Sequence, residues 1–273
     1  MNLFQSLLYG CVSGITEFLP ISSLAHQQLM LKMFGVEVAD PLQSLFVHIG
    51  LMIAVLIGCS GIIDQLRRGY QTQRQRRKSF KGSNNAFEWR FIKNAVLPMI
   101  LMFFVLYRCI NIGGSLLWIA LFSLINCLIM FAESRMMQGN KTEQTVSILD
   151  SILVGASGAL SVLPGISRIS VMLATSTACG IDHKKRVGWV LLLSIPALLF
   201  YSVTDILSVI STKTAVFGAS FLPALLSGVT AFICGYFGIL LMKSVSNHDD
   251  RSGIAFYSLG VALFSLIMYL MVV

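Results

Sequence analysis

The sequence predicts an all-α polytopic membrane protein with six transmembrane helices. Two oppositely oriented re-entrant helical hairpins complete it, in an inverted-topology repeat. Three observations predict this class. Of 273 residues, 56% are hydrophobic and 12% charged, about half the roughly 25% charge of soluble domains, and the mean hydropathy is +0.79. Lys and Arg are concentrated in alternate connections. Two proline-broken stretches, "TEFLPISSLAH" at 16–26 and "LPGISRIS" at 163–170, set polar clusters inside apolar sequence.

The elements follow in order, given that a span takes about 20 apolar residues. Residues 1–36 hold two apolar arms, 1–16 and 29–36, on either side of Pro20. Residues 41–63 make the first span, charge-free apart from His48. Residues 94–107 are short for a second, with Lys93 and Arg108 placed to snorkel to the two surfaces. Residues 109–132 form the third. Residues 146–181 repeat the broken pattern, with arms 146–163 and 169–181 around Pro164-Gly165. Spans at 187–204, 214–242 and 254–273 complete the chain. One hairpin and three spans are thus followed by another hairpin and three spans. The whole, 1–273, reads as one membrane domain, with repeat 1 at about 1–132 and repeat 2 at about 146–273. Inverted repeats place their site near the midplane, where the halves meet.

The net charge is +8, and its distribution sets the orientation. Nine Lys/Arg lie in the basic loop 64–93, two in 133–150, three in 183–186 and two in 243–253. The opposite connections hold only Lys32, Arg108 and Lys213. Excess Lys/Arg marks cytoplasmic loops, so both termini are expected outside. The basic loop is read as a topology signal touching anionic lipid headgroups, and no nucleic acid is expected as a partner. The start "MNLFQSLLYGCVSG" lacks a basic n-region, so no cleavable signal peptide is expected. The six cysteines form no CxxC or metal-ligand spacing and are read as small apolar residues, not a disulfide framework.

The chemistry concentrates in the two turns. Irregular backbone at membrane depth is tolerated only where it is buried in protein or lines a watery cavity, and ionisable groups there usually mark function. Glu17, His26 and Arg168 fall in such backbone. Proline ends one helical arm and a new helix follows, so Ser22, Ser23, Ser167 and Ser170 sit near new helix N-termini, which favour anions. The Arg168 guanidinium adds a planar fork suited to phosphate oxygens. His26, three or four residues beyond the serines, shares a helix face with one of them and is placed to take a proton or to attack phosphorus. Glu17 is positioned to hold a divalent cation, orient the histidine or position water. Plainer roles stand beside these. Serines in apolar helices often bond back to carbonyls, Glu17 and Arg168 make a structural ion pair, and Asn126 makes an interhelical hydrogen bond. His48, near the outer end of its span, is read as a packing or interfacial residue in preference to one that reaches the site, while Asp205 and Asp150 lie near span ends and call for no special role.

"GITEFLPISSLAH" at 14–26 and "LPGISR" at 163–168 resemble the undecaprenyl-diphosphate phosphatase, or bacitracin-resistance (BacA), family. The resemblance extends over the whole chain in length, span order, basic loop and repeat. It implies an enzyme of the bacterial cytoplasmic membrane that removes the terminal phosphate of undecaprenyl diphosphate on the outer face. That reaction regenerates the carrier lipid for peptidoglycan and underlies bacitracin resistance. It further implies a divalent cation, Mg²⁺ or Ca²⁺. Glu17 matches the second glutamate of the family's first motif, Ser22 and Ser23 its serine pair and His26 its histidine. Pro164, Gly165, Ser167 and Arg168 match the opening of its PGxSRSGxT motif. The chain departs from the pattern at Ser13, where the first glutamate falls, and at Ile169, Ser170 and Met172. Gly188 stands where a further glutamate is common.

The expected activity is therefore that of a divergent undecaprenyl-diphosphate phosphatase. Arg168, Ser167 and the backbone after Gly165 hold the diphosphate, with Ser22 and Ser170 beside them. Ser23 or His26 attacks and the other assists, while Glu17 orients a cation or water. Two rival readings use the same residues without chemistry: a polyprenyl-phosphate transporter or flippase, and an inactive lipid-binding paralogue. The expected partners are a polyprenyl diphosphate lipid, membrane lipids and, in a homodimer, a second copy of the chain.

Overall fold

The computed structural model describes residues 1–76, 86–109, 114–142, 145–213, 218–245 and 252–272. The first half contains α1 (Leu3–Glu17), α2 (Ser23–Met33), α3 (Pro41–Gly58), α4 (Ser60–Arg76), α5 (Ala86–Cys109) and α6 (Leu116–Arg135). The second contains α7 (Ile148–Gly158), α8 (Arg168–Ala178), α9 (His183–Ser211), α10 (Phe221–Val245) and α11 (Ser252–Val272), with a 3₁₀ turn at Ala159–Val162 after α7. Among the described residues no strand occurs, only isolated bridges from Gly139 and Lys141 to Asp182 and Ile181.

Six helices, α3, α5, α6, α9, α10 and α11, are long and apolar enough to cross a membrane. Apolar side chains such as Leu97, Phe104, Leu128, Phe237 and Leu270 stand exposed on them. Exposed apolar surface on this scale suits hydrocarbon and not water. The helices run past the apolar windows of the sequence. Where a span at 187–204 is expected, α9 covers His183–Ser211, because backbone hydrogen bonding continues through charged ends that interrupt hydropathy. The segment 64–93 is largely helical instead of loop: α4 extends to Arg76 and α5 begins at Ala86, with 77–85 outside the described residues. Its Gln and Arg residues are good helix formers, and α4 follows α3 directly after Cys59, the C-cap of α3.

Each broken region is a pair of short helices. Both pairs open with a capping box, in which Asn2 and Gln5 exchange hydrogen bonds at α1 and Ser147 and Asp150 at α7. The packing pairs also correspond. α1 lies on α10 as α7 lies on α5, and α3 packs on α10 as α9 packs on α5. α6 pairs with α11 and α3 with α9. Small residues permit the close contacts: a Cβ on Gly10 would stand 2.1 Å from Thr230 Oγ1, and one on Gly155 would stand 2.0 Å from Ala95 O. The first arm of each hairpin, α1 or α7, is thereby fixed against a span of the other half, and the two turns meet where Gly165 N donates to Ser22 Oγ.

A second polar cluster lies at the far end of α8. Thr177 Oγ1 donates to Glu133 Oε1 at 2.9 Å, and the Arg186 guanidinium meets Glu133 at 3.3 Å, with both side chains fully buried. Thr177 is nine residues from Arg168, about 13 Å along a helix, so this cluster is separate from the turns.

Candidate active site

The site begins with the two breaks. After α1 the chain turns through Phe18–Ile21, and α2 starts at Ser23 with Ser22 as its N-cap. Ser22 has φ 61°, outside the regions that L-residues favour. After the 3₁₀ turn the chain passes Pro164 and Gly165, and α8 starts at Arg168 with Ser167 as its N-cap. Gly165 has φ 121°, and a Cβ there would lie 2.5 Å from Ser123 N. Only glycine meets both demands.

Most of the polar residues in the turns bind the turns to each other. Ser22 Oγ accepts from Ala25 N at 3.4 Å and from Gly165 N at 3.1 Å. Ser167 Oγ donates to Leu19 O at 3.2 Å, and Ser170 Oγ donates to Pro20 O at 2.8 Å. Asn126 on α6 holds both turns: Nδ2 donates to Pro20 O and Ser258 Oγ at 3.1 and 3.0 Å, and Oδ1 accepts from Ser167 N at 3.0 Å. Ser22, Gly165 and Ser170, expected to touch substrate, thus act as ties between the halves. Ser167 is a tie of the same kind and also lines a cavity. The interhelical role expected of Asn126 is what its side chain performs.

That cavity, about 390 Å³, opens beside the turns. Glu17, Ser23 and Arg168 line it, with Gln27, Lys32, Glu37, His48, Tyr201 and Asp205 among the others. Arg168 Nη2 donates to Glu17 Oε1 at 2.7 Å, and the two side chains are 4% and 11% exposed. The ion pair weighed from the sequence therefore exists, and it lies on the cavity wall. The Arg168 Nε–H is itself buried and makes no hydrogen bond. A buried donor without a partner is uncommon, and this one belongs to a cation beside open space. Ser23 Oγ accepts from Gln27 Nε2 at 3.2 Å and reaches Ser13 O only at 3.5 Å.

The structure corrects the expected partnership of His26 with a serine hydroxyl. Nδ1 of His26 bonds the Ser22 carbonyl at 2.8 Å, Nε2 meets the Tyr257 hydroxyl at 2.9 Å, and the two rings stack 5.7 Å apart. The ring is turned toward α11 and does not line the cavity. Ser22 is the N-cap, so the first helical turn rotates position 26 away from the cavity while Ser23 and Gln27 face it.

His48, weighed from the sequence as packing, interfacial or within reach of the site, and Asp205, given no special role there, meet in the cavity wall. His48 Nδ1 donates to Asp205 Oδ2 at 2.5 Å, and its ring stacks on Tyr201 at 5.4 Å. The pair joins α3 to α9 across 157 positions. The one available signal was two ionisable groups inside apolar spans.

The residues present do not fit a resident divalent cation. Such ions take six or more oxygen ligands, with carboxylates prominent. Glu17 is engaged with Arg168, and Ser13, one helical turn earlier, offers only a hydroxyl. Among the described residues no three His, Cys, Asp or Glu side chains form a group able to hold a metal.

Broken helices meeting at a buried ion pair beside a cavity, among six helices long and apolar enough to span, define a polytopic membrane protein. The chain belongs to the family of the bacitracin resistance protein BacA, whose family model matches residues 6–264. Curated relatives resemble it over nearly their full length. An undecaprenyl-diphosphatase of Carboxydothermus hydrogenoformans is 28% identical over 270 residues, covering 97% of this chain and 98% of that protein. Undecaprenyl-diphosphatase 1 of Shouchella clausii is 29% identical, covering 96% and 95%.

Proposed function

We propose that this protein is an undecaprenyl-diphosphate phosphatase, releasing phosphate and undecaprenyl phosphate for reuse as a carrier lipid in cell-wall synthesis. The observation that carries the proposal is Arg168: a buried guanidinium, oriented by Glu17, with an unpartnered N–H beside a cavity that Ser23 also lines. Family membership and the names of the relatives point to the same chemistry.

Arg168 and Ser167 hold the terminal phosphate, and the guanidinium neutralises the charge that gathers on its oxygens. Ser23 Oγ is the nucleophile that this geometry favours, since His26 is committed to Ser22 and Tyr257. The Oγ–phosphorus bond forms as the bond from phosphorus to the bridging oxygen breaks, and undecaprenyl phosphate leaves. Water then cleaves the phosphoserine. No step is assigned to a metal.

The two halves are proposed to be an inverted-topology repeat, a reading supported by their corresponding packing pairs and capping boxes. The site is proposed to face outside, with both termini. Lys32, Glu37 and Gly114 at the cavity's edge belong to connections poor in Lys and Arg, the side that the positive-inside rule assigns to the exterior.

The test is phosphate release from undecaprenyl diphosphate by the purified protein in detergent, beside Arg168→Ala and Ser23→Ala. Loss in both variants, each still folded, supports the proposal. No release by folded, lipid-binding wild-type protein overturns the enzyme and leaves a lipid-phosphate carrier.

A further inference from the structure

Ser23 needs a proton acceptor, and the expected one is turned away. Both ring nitrogens of His26 are engaged outside the cavity. Glu17 is tied to Arg168. A carboxylate held by a guanidinium is a poor base, because taking a proton would sacrifice the ion pair.

We propose that His48, oriented by Asp205, is the proton acceptor of the site. The proposal rests on the phosphatase reading and adds a catalytic residue to it. His48 Nδ1 donates to the Asp205 carboxylate, which fixes the tautomer and leaves the Nε2 lone pair available. The ring is further held by the Tyr201 face. Tyr201, His48 and Asp205 line the same cavity as Arg168 and Glu17, so the imidazole and the phosphate anchor face one shared space. His48 and Asp205 are each 16% exposed at the side chain, enough to meet a reactant and too little to be freely solvated. An imidazole backed by a carboxylate is a recurring arrangement for accepting a proton from a hydroxyl, because the carboxylate stabilises the imidazolium that forms.

The step balances as follows. As Ser23 Oγ bonds to the terminal phosphorus, its proton passes to His48 Nε2, directly or through one water. The phosphorus–oxygen bond to the lipid phosphate breaks with its electron pair. When water later attacks the phosphoserine, the Ser23 oxygen regains a proton from His48, which in turn takes one from the water.

The experiment measures kcat and KM for undecaprenyl diphosphate in wild type, His48→Gln, His48→Ala and Asp205→Asn, with melting temperature as the folding control. Glutamine keeps a hydrogen bond toward Asp205 and cannot take a proton. The expected result is a fall in kcat of about 10²–10⁴-fold for His48→Gln with KM nearly unchanged, the range of general acid–base catalysis. Asp205→Asn should fall less, and free imidazole should restore part of the activity of His48→Ala. A folded His48→Gln with wild-type kcat overturns the proposal while leaving the phosphatase reading intact. Failure of imidazole to rescue a folded His48→Ala also counts against it. No release by wild type overturns the phosphatase reading itself, and this proposal with it.

Discussion

Glu17 Oε1 accepts a hydrogen bond at 2.7 Å from Arg168 Nη2, joining residues 151 positions apart at the start of one broken helix pair's turn and the end of the other's. Breaking a buried ion pair on one side costs roughly 3–5 kcal/mol, because the other charge stays buried alone. The two single removals should therefore differ from a conservative change. Arg168→Lys keeps a charge but loses the planar fork, so phosphate release should fall by about 10²-fold or more with a modest change in melting temperature. Glu17→Ala should lower the melting temperature further, since it leaves the guanidinium unneutralised. Wild-type kcat/KM in Arg168→Lys would show that the fork does not hold the headgroup.

Asn126 is the mechanical centre of the site, and its removal should act on stability before chemistry. Its side chain serves Pro20 O, Ser167 N and Ser258 Oγ. Asn126→Ala orphans buried groups at a depth where water does not replace them, at about 1–3 kcal/mol for each. The melting temperature should drop and activity should fall with it. Asn126→Gln, one methylene too long, should not rescue. A stable and active Asn126→Ala would mean that Ser22, Ser167, Ser170 and the Glu17–Arg168 pair hold the turns without it.

The spans were legible in the sequence because hydropathy and charge are summed over twenty residues, so single exceptions average out. The breaks were legible for a local reason: proline fixes φ and ends a helix, and glycine reaches backbone conformations that other residues avoid, as Gly165 at 121° demonstrates. Side-chain direction was not legible. Whether position 22 or 23 begins α2 decides whether residue 26 or 27 meets the cavity, a rotation of about 100° per residue. The pairing of His48 with Asp205 was not legible for a different reason. Each sits in a span, 157 positions from its partner, and only the α3–α9 contact brings them together.

Cys11 and Cys234 test the packing of α1 on α10. Their Sγ atoms are 3.2 Å apart, and both cysteines are free thiols. Mild oxidation should join this pair and remove two alkylatable thiols, located by peptide mass. A Cys11→Ser protein should show no such loss. If both thiols remain alkylatable after oxidation, α1 does not lie against α10 in this register.

Cys109 tests orientation. It is exposed at the end of α5, next to Arg108 in the connections assigned outside. A membrane-impermeant maleimide added to intact cells should label it. The label should be lost in Cys109→Ser, and Cys59, which is fully buried, should stay unlabelled. Labelling of Cys109 only after the membrane is opened would reverse the topology and place the cavity inside.

The last prediction concerns divalent cations and follows from Ser13. Residues 13 and 17 share a face of α1, and Ser13 is fully buried with a hydroxyl that has no partner. A second carboxylate there would stand beside Glu17 and compete with it for Arg168. A ligand that binds only the folded state raises stability by RT ln(1 + [L]/Kd), so cation binding reads out as melting temperature. Without lipid, the wild-type melting temperature should not respond to Mg²⁺ or Ca²⁺, since Glu17 is already neutralised by Arg168. Ser13→Glu should be destabilised in EDTA, where two buried carboxylates share one guanidinium, and recover when Ca²⁺ is added. A cation-dependent rise in wild type that disappears in Glu17→Gln would instead establish a resident metal at Glu17 and reinstate it in the reaction.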